Sequence, residues 1–134
     1  MNLMLGPGLL DKMIQHATAS LPNEACGLLV GHGMNATRFL RANNILGSPN
    51  SYEMDPSFLA STMRSLRESG ESLVAIFHSH PAGPAEPSAL DLNLAAYPRA
   101  AHVIVSLADQ SHPKPRAFRI VDGQSFEIEI LALG

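Results

Sequence analysis

His78-Ser79-His80-Pro81, followed by Ser88 and Asp91, are the residues of this 134-residue chain whose types and spacing suit chemistry best. In an extended segment alternate side chains share a face, so His78 and His80 point one way and Ser79 the other. Two imidazoles can then reach one divalent ion, and Asp91 offers a carboxylate as third ligand after a short return. Pro81 ends ladder pairing, and Pro84 and Pro87 stiffen the loop that brings the chain back. Ser88 and Asp91 then stand three residues apart, on one face of a helix start. Three protein ligands leave a coordination position open, which is the arrangement of catalytic rather than structural zinc. The pattern predicts a hydrolase.

Each of these residues also has an ordinary explanation. Ser88 can be a plain N-cap, Asp91 a first-turn acid favoured by the helix dipole, and the histidines strand-end residues. All of these would have to coincide with the histidine spacing, the proline and the returning loop, so the metal reading is preferred. His16, His32, His102 and His112 have no comparable spacing and read as structural or surface residues. His102 opens a strand, but nothing in the sequence draws it to the site.

Hydrolysis also needs a group that moves protons. A metal lowers the pKa of its water toward ~7, and a nearby carboxylate can take that proton and pass it to the leaving amine. Glu24 is the candidate, because it immediately precedes the apolar run Gly27 to Gly31; by position alone it would be a solvated loop acid. Ser88, besides capping, can donate a hydrogen bond to a developing oxyanion. Cys26 reads as a small buried thiol, with contact to zinc or a thiol-bearing substrate as the weaker alternative.

The elements that must position these residues follow from periodicity. Leu9, Leu10, Met13, Ile14 and Ala17 share one helical face over Leu9 to Ala19, and Pro22 closes the segment. Gly27 to Gly31 reads as a buried strand bounded by glycines, with Thr37 to Ala42 as its hairpin partner. Asn43 to Asp55 is a loop, and Asp55-Pro56 opens a helix that Gly70 stops near Ser69. Its stripe is Phe58, Leu59, Met63 and Leu66. Leu73 to Phe77 is the most hydrophobic short run and reads as a central strand that delivers the two histidines at its end. Ser88 starts a helix through about Ala96, and His102 to Leu107 is a further buried strand. Arg116 to Val121 and Ser125 to Leu131 form a hairpin around Asp122-Gly123. The class is α/β, a mixed curved sheet with helices packed against it, in a single domain over residues 1–134.

Composition excludes several functions. Hydrophobic residues make up 46% and charged residues 16%, an ordinary globular balance. Net charge is −3 and the nine Lys plus Arg are scattered, which argues against nucleic acid as a partner. One cysteine excludes an internal disulfide and fits a reducing compartment. The N-terminal stretch lacks a basic region, and no run approaches ~18 uninterrupted apolar residues, so a cytoplasmic protein without a membrane partner is expected.

Glu24, His78-Ser79-His80-Pro81, Ser88 and Asp91 together resemble the signature of the JAMM (MPN-plus) metalloproteases. The flanking segments Glu24 to Gly31 and Tyr52 to Pro56 look like that family too, and the likeness runs from about Leu9 to the last strand. The resemblance implies a cytidine-deaminase-like fold and one Zn²⁺ per chain, held by His78, His80 and Asp91. It gives Glu24 the general acid/base role and Ser88 the oxyanion role. It also implies cleavage of a peptide or isopeptide bond after the C-terminal Gly-Gly of a small ubiquitin-like or sulfur-carrier protein, as in short stand-alone prokaryotic members. An extended tail of that kind can add as a strand at a sheet edge near the metal, with Arg41 to Tyr52 as a candidate wall.

Two other readings stay open at this point. One keeps the zinc and acts on a small-molecule amide, although zinc deaminases use H-x-E with P-C-x-x-C and this chain has a single cysteine. The other is a metal-stabilised interaction module without catalysis, although structural zinc normally has four protein ligands.

Overall fold

The computed structural model describes residues 1–94 and 97–133. Its elements run β1 (Asn2–Leu5), α1 (Leu9–Ser20), β2 (Cys26–His32), β3 (Asn35–Ala42), α2 (Pro56–Ser69), β4 (Ser72–His80), α3 (Ala89–Leu94), β5 (Ala101–Ser106), β6 (Lys114–Val121) and β7 (Gln124–Ala132). The expected extension of the third helix to Ala96 falls on residues outside those described. The curved mixed sheet expected from the sequence closes on itself in the order β1-β3-β2-β4-β5-β6-β7. Closure is effected by β1, which pairs in parallel with both β3 and β7 and which periodicity does not announce. An extended tail therefore meets a sheet with few open edges. β1 pairs with β3 only at Met4–Asn35 and Leu5–Ala36, which leaves the rest of β3 without a β1 partner.

Alternation along β4 sorts the two helices. Ala75 and Phe77 belong to the core that α1 covers with Leu9, Met13 and Ala17. Ile76 belongs to the opposite core, where Leu28 and Cys26 of β2 meet Phe58, Leu59, Met63 and Leu66 of α2. His78 continues the α2 face beyond Ile76, so placing a polar ring there costs the α1 core nothing. The α2 helix has the boundaries its sequence prescribes. Asp55 caps it, its carboxylate accepting from the Ser57 N–H at 2.8 Å. Pro56 occupies the first turn, and Gly70 at φ 77° closes it. Asp122 and Gly123, at φ 53° and 72°, make the tight β6–β7 turn in which both central residues take positive φ.

The two glycines expected to bound β2 lie inside it instead. A Cβ on Gly27 would stand 2.6 Å from the Leu40 carbonyl oxygen and 2.6 Å from a Phe39 ring carbon. On Gly31 it would collide with the Asn35 carbonyl oxygen. Glycine here allows β3 to pack close beside β2, its antiparallel neighbour. Gly27→Ala should therefore destabilise the protein by about 1–3 kcal/mol through overpacking. Thermal unfolding of the purified variant should show a midpoint several degrees lower, and an unchanged midpoint would refute the close-approach argument.

Candidate metal centre

β4 delivers His78 and His80 to the end of the sheet, and α3 brings Asp91 to meet them. The His78 Nε2, His80 Nε2 and Asp91 Oδ2 atoms lie 3.1–3.2 Å from one another. The return loop is pinned at several points, which is what lets a 13-residue excursion end so accurately. The Leu107 N–H donates to the His80 carbonyl at 3.0 Å, and the Ser106 hydroxyl donates to the Gly83 carbonyl at 2.6 Å. Ser88 and Asp91 cap each other reciprocally. The Ser88 N–H donates to Asp91 Oδ2 at 2.8 Å, and the Asp91 N–H donates to Ser88 Oγ at 3.1 Å.

The protonation pattern tests whether a cation suits this place. His80 Nδ1 lies 2.8 Å from the Pro84 carbonyl oxygen. A carbonyl can only accept, so Nδ1 carries the proton and the neutral ring turns an Nε2 lone pair toward the other two ligands. Three electron-rich atoms then face one another, which is favourable only with a proton or a cation among them. A tetrahedral ion with bonds of ~2.0–2.1 Å sets its ligands roughly 3.3–3.4 Å apart, close to the triangle observed. The donor set therefore fits a divalent ion, and its two imidazoles and one carboxylate suit zinc without excluding other divalent ions. The carbonyl on His80 Nδ1 is the kind of outer partner that fixes ring orientation in metal sites.

In the metal-free chain a proton takes the place of the cation, as the electrostatics of the three groups require. His78 is buried, and burial holds its pKa below the usual histidine range, so it stays a neutral ligand. Burial opposes ionisation of Asp91, but hydrogen bonds with His78, His80 and the Ser88 N–H hold its carboxyl well below the usual carboxylate range. For His80 burial lowers the pKa, and the contacts with Asp91 and Pro84 reverse this to a net rise.

Glu24 is only 4% exposed, and its Oε1 has no hydrogen-bond partner. Burial pushes its carboxyl up to about 7, with opposing influences from His80 and Asp91 that put it within electrostatic range of both. Its backbone is clamped on several sides. The Glu24 N–H donates to the Ser48 carbonyl at 2.9 Å, and the Asn44 side-chain amide donates to the Glu24 carbonyl at 3.1 Å. Next to it, the Ala25 N–H donates to Ser79 Oγ at 2.8 Å, while the Ser79 N–H donates to the Ala25 carbonyl at 3.0 Å. The spacer between the two histidines thus ties their strand to the segment bearing Glu24.

Three residues have contacts here that the sequence does not assign to them. Tyr52 stacks on the His78 ring at 4.8 Å and 25°. Ser79 was only a spacer. His102 lines a cavity together with His78 and Asp91, although no spacing in the sequence draws it there. The β4–β5 register explains its position, since His102 pairs with Ile76 and so shares the face of His78. The other histidines lie elsewhere: His16 Nε2 is 3.0 Å from the Cys26 carbonyl oxygen, and His32 and His112 are exposed. Cys26 is fully buried and outside the ligand cluster, and burial pushes its thiol up to about 12.

The raised Glu24 pKa makes a stability prediction for the metal-free protein. A carboxyl at about 7 folded and at its ordinary 4.5 unfolded contributes stability that is present below 4.5 and lost as pH rises through 7. Glu24→Gln removes this dependence, so it should gain on the native chain as pH rises from 5 to 8, by on the order of 3 kcal/mol. Denaturant unfolding at several pH values checks this, and parallel curves for the two proteins would refute the buried, proton-holding Glu24.

Comparison with known proteins places the chain. A family model described as prokaryotic homologs of the JAB domain matches residues 7–121. The chain is 37% identical over 123 residues to the CysO-cysteine peptidase of Mycobacterium tuberculosis, covering 90% of this chain and 84% of that one. It is 34% identical over 125 residues to the probable TtuB-protein conjugate cleaving protease of Thermus thermophilus, covering 92% and 80%. A solution structure of a protein from Desulfitobacterium hafniense superposes with a TM-score of 0.87 at 37% identity, over 99% of this chain and 93% of that one. With a family model spanning most of its length, the chain belongs to the prokaryotic homologs of the JAB domain.

Proposed function

We propose that the chain is a zinc-dependent peptidase that hydrolyses the bond after the C-terminal Gly-Gly of a small ubiquitin-like or sulfur-carrier protein. The observation that carries this is the convergence of three metal-ligand atoms with a buried, unpartnered Glu24, in a chain whose relatives are named for cleaving a CysO–cysteine adduct and TtuB conjugates. His78, His80 and Asp91 hold the ion, which when bound supplies the Lewis acidity that polarises a carbonyl and acidifies water. Glu24 is the general acid/base. A carboxyl whose burial pushes it up to about 7 is matched to taking a proton near neutral pH and returning it to the leaving amine.

Ser88 has the donor role by elimination of its other bond. Its oxygen accepts from the Asp91 N–H, which leaves the hydroxyl hydrogen free to point at a developing oxyanion. Asp91 is oriented by the same pair of bonds. Ser79 and Asn44 keep Glu24 in place through its neighbouring backbone. A single domain in a reducing cytoplasm accords with one buried, unreactive thiol. Among the described residues no helix is long and apolar enough to cross a membrane.

The test is cleavage of a small ubiquitin-like protein extended beyond its Gly-Gly, followed by mass spectrometry. Cleavage after the second glycine should be abolished by a chelator and restored by zinc. Glu24→Gln should lose nearly all activity while binding zinc like the native chain. Ser88→Ala should retain zinc and lose about 10²–10³ in kcat. Chelator-resistant cleavage, or a Glu24→Gln protein that is fully active, would overturn the mechanism.

A further inference from the structure

The cavity that adjoins the metal ligands is larger than a Gly-Gly tail requires. It measures about 440 Å³ and lies between the outer face of β2 and β4, the helix α2 and the segment from Leu46 to Met54. Its walls include Leu28, Met54, Leu59, Ile76 and Tyr97 together with the ligands His78 and Asp91. One more polar group faces this space. His102 is 4% exposed, and its Nε2 has no hydrogen-bond partner. An apolar concavity with a small number of placed polar atoms is the ordinary form of a recognition pocket.

We propose that this cavity receives the side chain of the first residue on the leaving side of the scissile bond, and that it selects apolar side chains there. The inference rests on the peptidase reading above and names the part of the substrate that the reading leaves unspecified. Two glycines precede the bond, and they have no side chains to place beside the metal. An extended chain advances about 3.3 Å per residue, so the residue before the glycines starts roughly 7 Å or more from the reacting carbonyl. The leaving residue starts one bond away. A pocket walled by the metal ligands themselves is therefore filled from the leaving side.

The lining determines what fits. The described walls contain no Lys or Arg, so an acidic side chain would lose its hydration with nothing to offset the loss. Burial and the neighbouring His78 push the His102 pKa down to about 4, so that ring adds no positive charge near neutral pH. It adds one unpartnered ring nitrogen to a lining whose other polar groups include Ser51, Tyr52, Glu53, His78 and Asp91, and it suits a neutral group of the leaving residue. Apolar side chains gain by transfer from water into such a space.

The experiment uses the zinc-loaded chain and a ubiquitin-like protein whose Gly-Gly is extended by one residue, either Leu, Gly or Asp. The expected kcat/KM is highest for Leu, at least about tenfold above Asp, which is the range open to a pocket of this kind. Leu59→Trp, which fills the cavity from α2, should bring the Leu-to-Gly ratio close to one. Equal cleavage of all three substrates by the native chain would overturn the pocket and leave Gly-Gly hydrolysis standing. Preference for Asp would overturn it as well. No cleavage of any extended substrate would overturn the peptidase reading beneath it.

Discussion

Three electron-rich atoms held 3.1–3.2 Å apart are the constraint on which the rest of this structure depends. Imidazole nitrogens and a carboxylate oxygen repel one another unless a cation or proton lies among them, so the scaffold must hold them against that repulsion. It does so with backbone rather than with side-chain bulk. β4 is paired on both flanks as it reaches the histidines, with Cys26 opposite His78 on β2 and Ser106 opposite His80 on β5. The return loop is fastened by Ser106 to Gly83 and by His80 to Pro84. Because His80 supplies one of these fasteners, the same proton that anchors the loop also directs the ring's lone pair inward. Loop geometry and ligand chemistry are set by one hydrogen bond.

Glu24 is governed by a different balance. Its carboxylate has no charged hydrogen-bond partner and sits in a buried place, so its folded state favours the proton. A salt bridge to a basic residue would hold the carboxyl far below neutral pH, and the fold supplies none here. The chain instead fixes the backbone around Glu24, through Ser48, Asn44 and the Ser79–Ala25 pair, and leaves the side chain itself unsatisfied. Position is supplied by amide hydrogen bonds, and the raised pKa by burial of a carboxylate that has few of them.

How much of this was legible in the sequence depends on whether the signal is local. The helix from Pro56 to Ser69 carries its own start and stop, and the Asp122-Gly123 turn carries its own geometry, so both appear where the sequence puts them. The His-x-His pair needs only strand alternation, and Ser88 with Asp91 needs only a helix start. What escaped is non-local. β1 is a four-residue apolar segment whose identity as a strand comes from parallel partners about 30 and 127 residues away, Asn35 and Glu129 among them. Gly27 and Gly31 look like strand ends until β3 is paired beside them. His102 has the parity of the metal face only once β5 is registered against β4, and no spacing within its own strand reveals that. Tyr52 likewise reaches His78 through a loop whose path Asn44 sets by bonding to Ser48 and Ser51.

The distribution of unmet polar groups ties these points together. Among the described residues, the buried side-chain atoms without partners are Glu24 Oε1, His78 Nδ1, His102 Nε2 and Arg119 Nε. A buried polar atom left wholly without a partner costs about 1–3 kcal/mol, so such atoms are few in a small domain. If the cost reflected imperfect packing, the atoms would be scattered over the core. The α1 core has none of them, although it contains the larger share of the buried apolar residues. All but Arg119 belong instead to the ligand cluster, its neighbouring base and the cavity beside it. With Arg119 as the exception, the fold gathers its buried polar atoms that lack protein partners around one cavity, where a ligand or water can bond to them. That arrangement marks the site independently of any signature in the sequence.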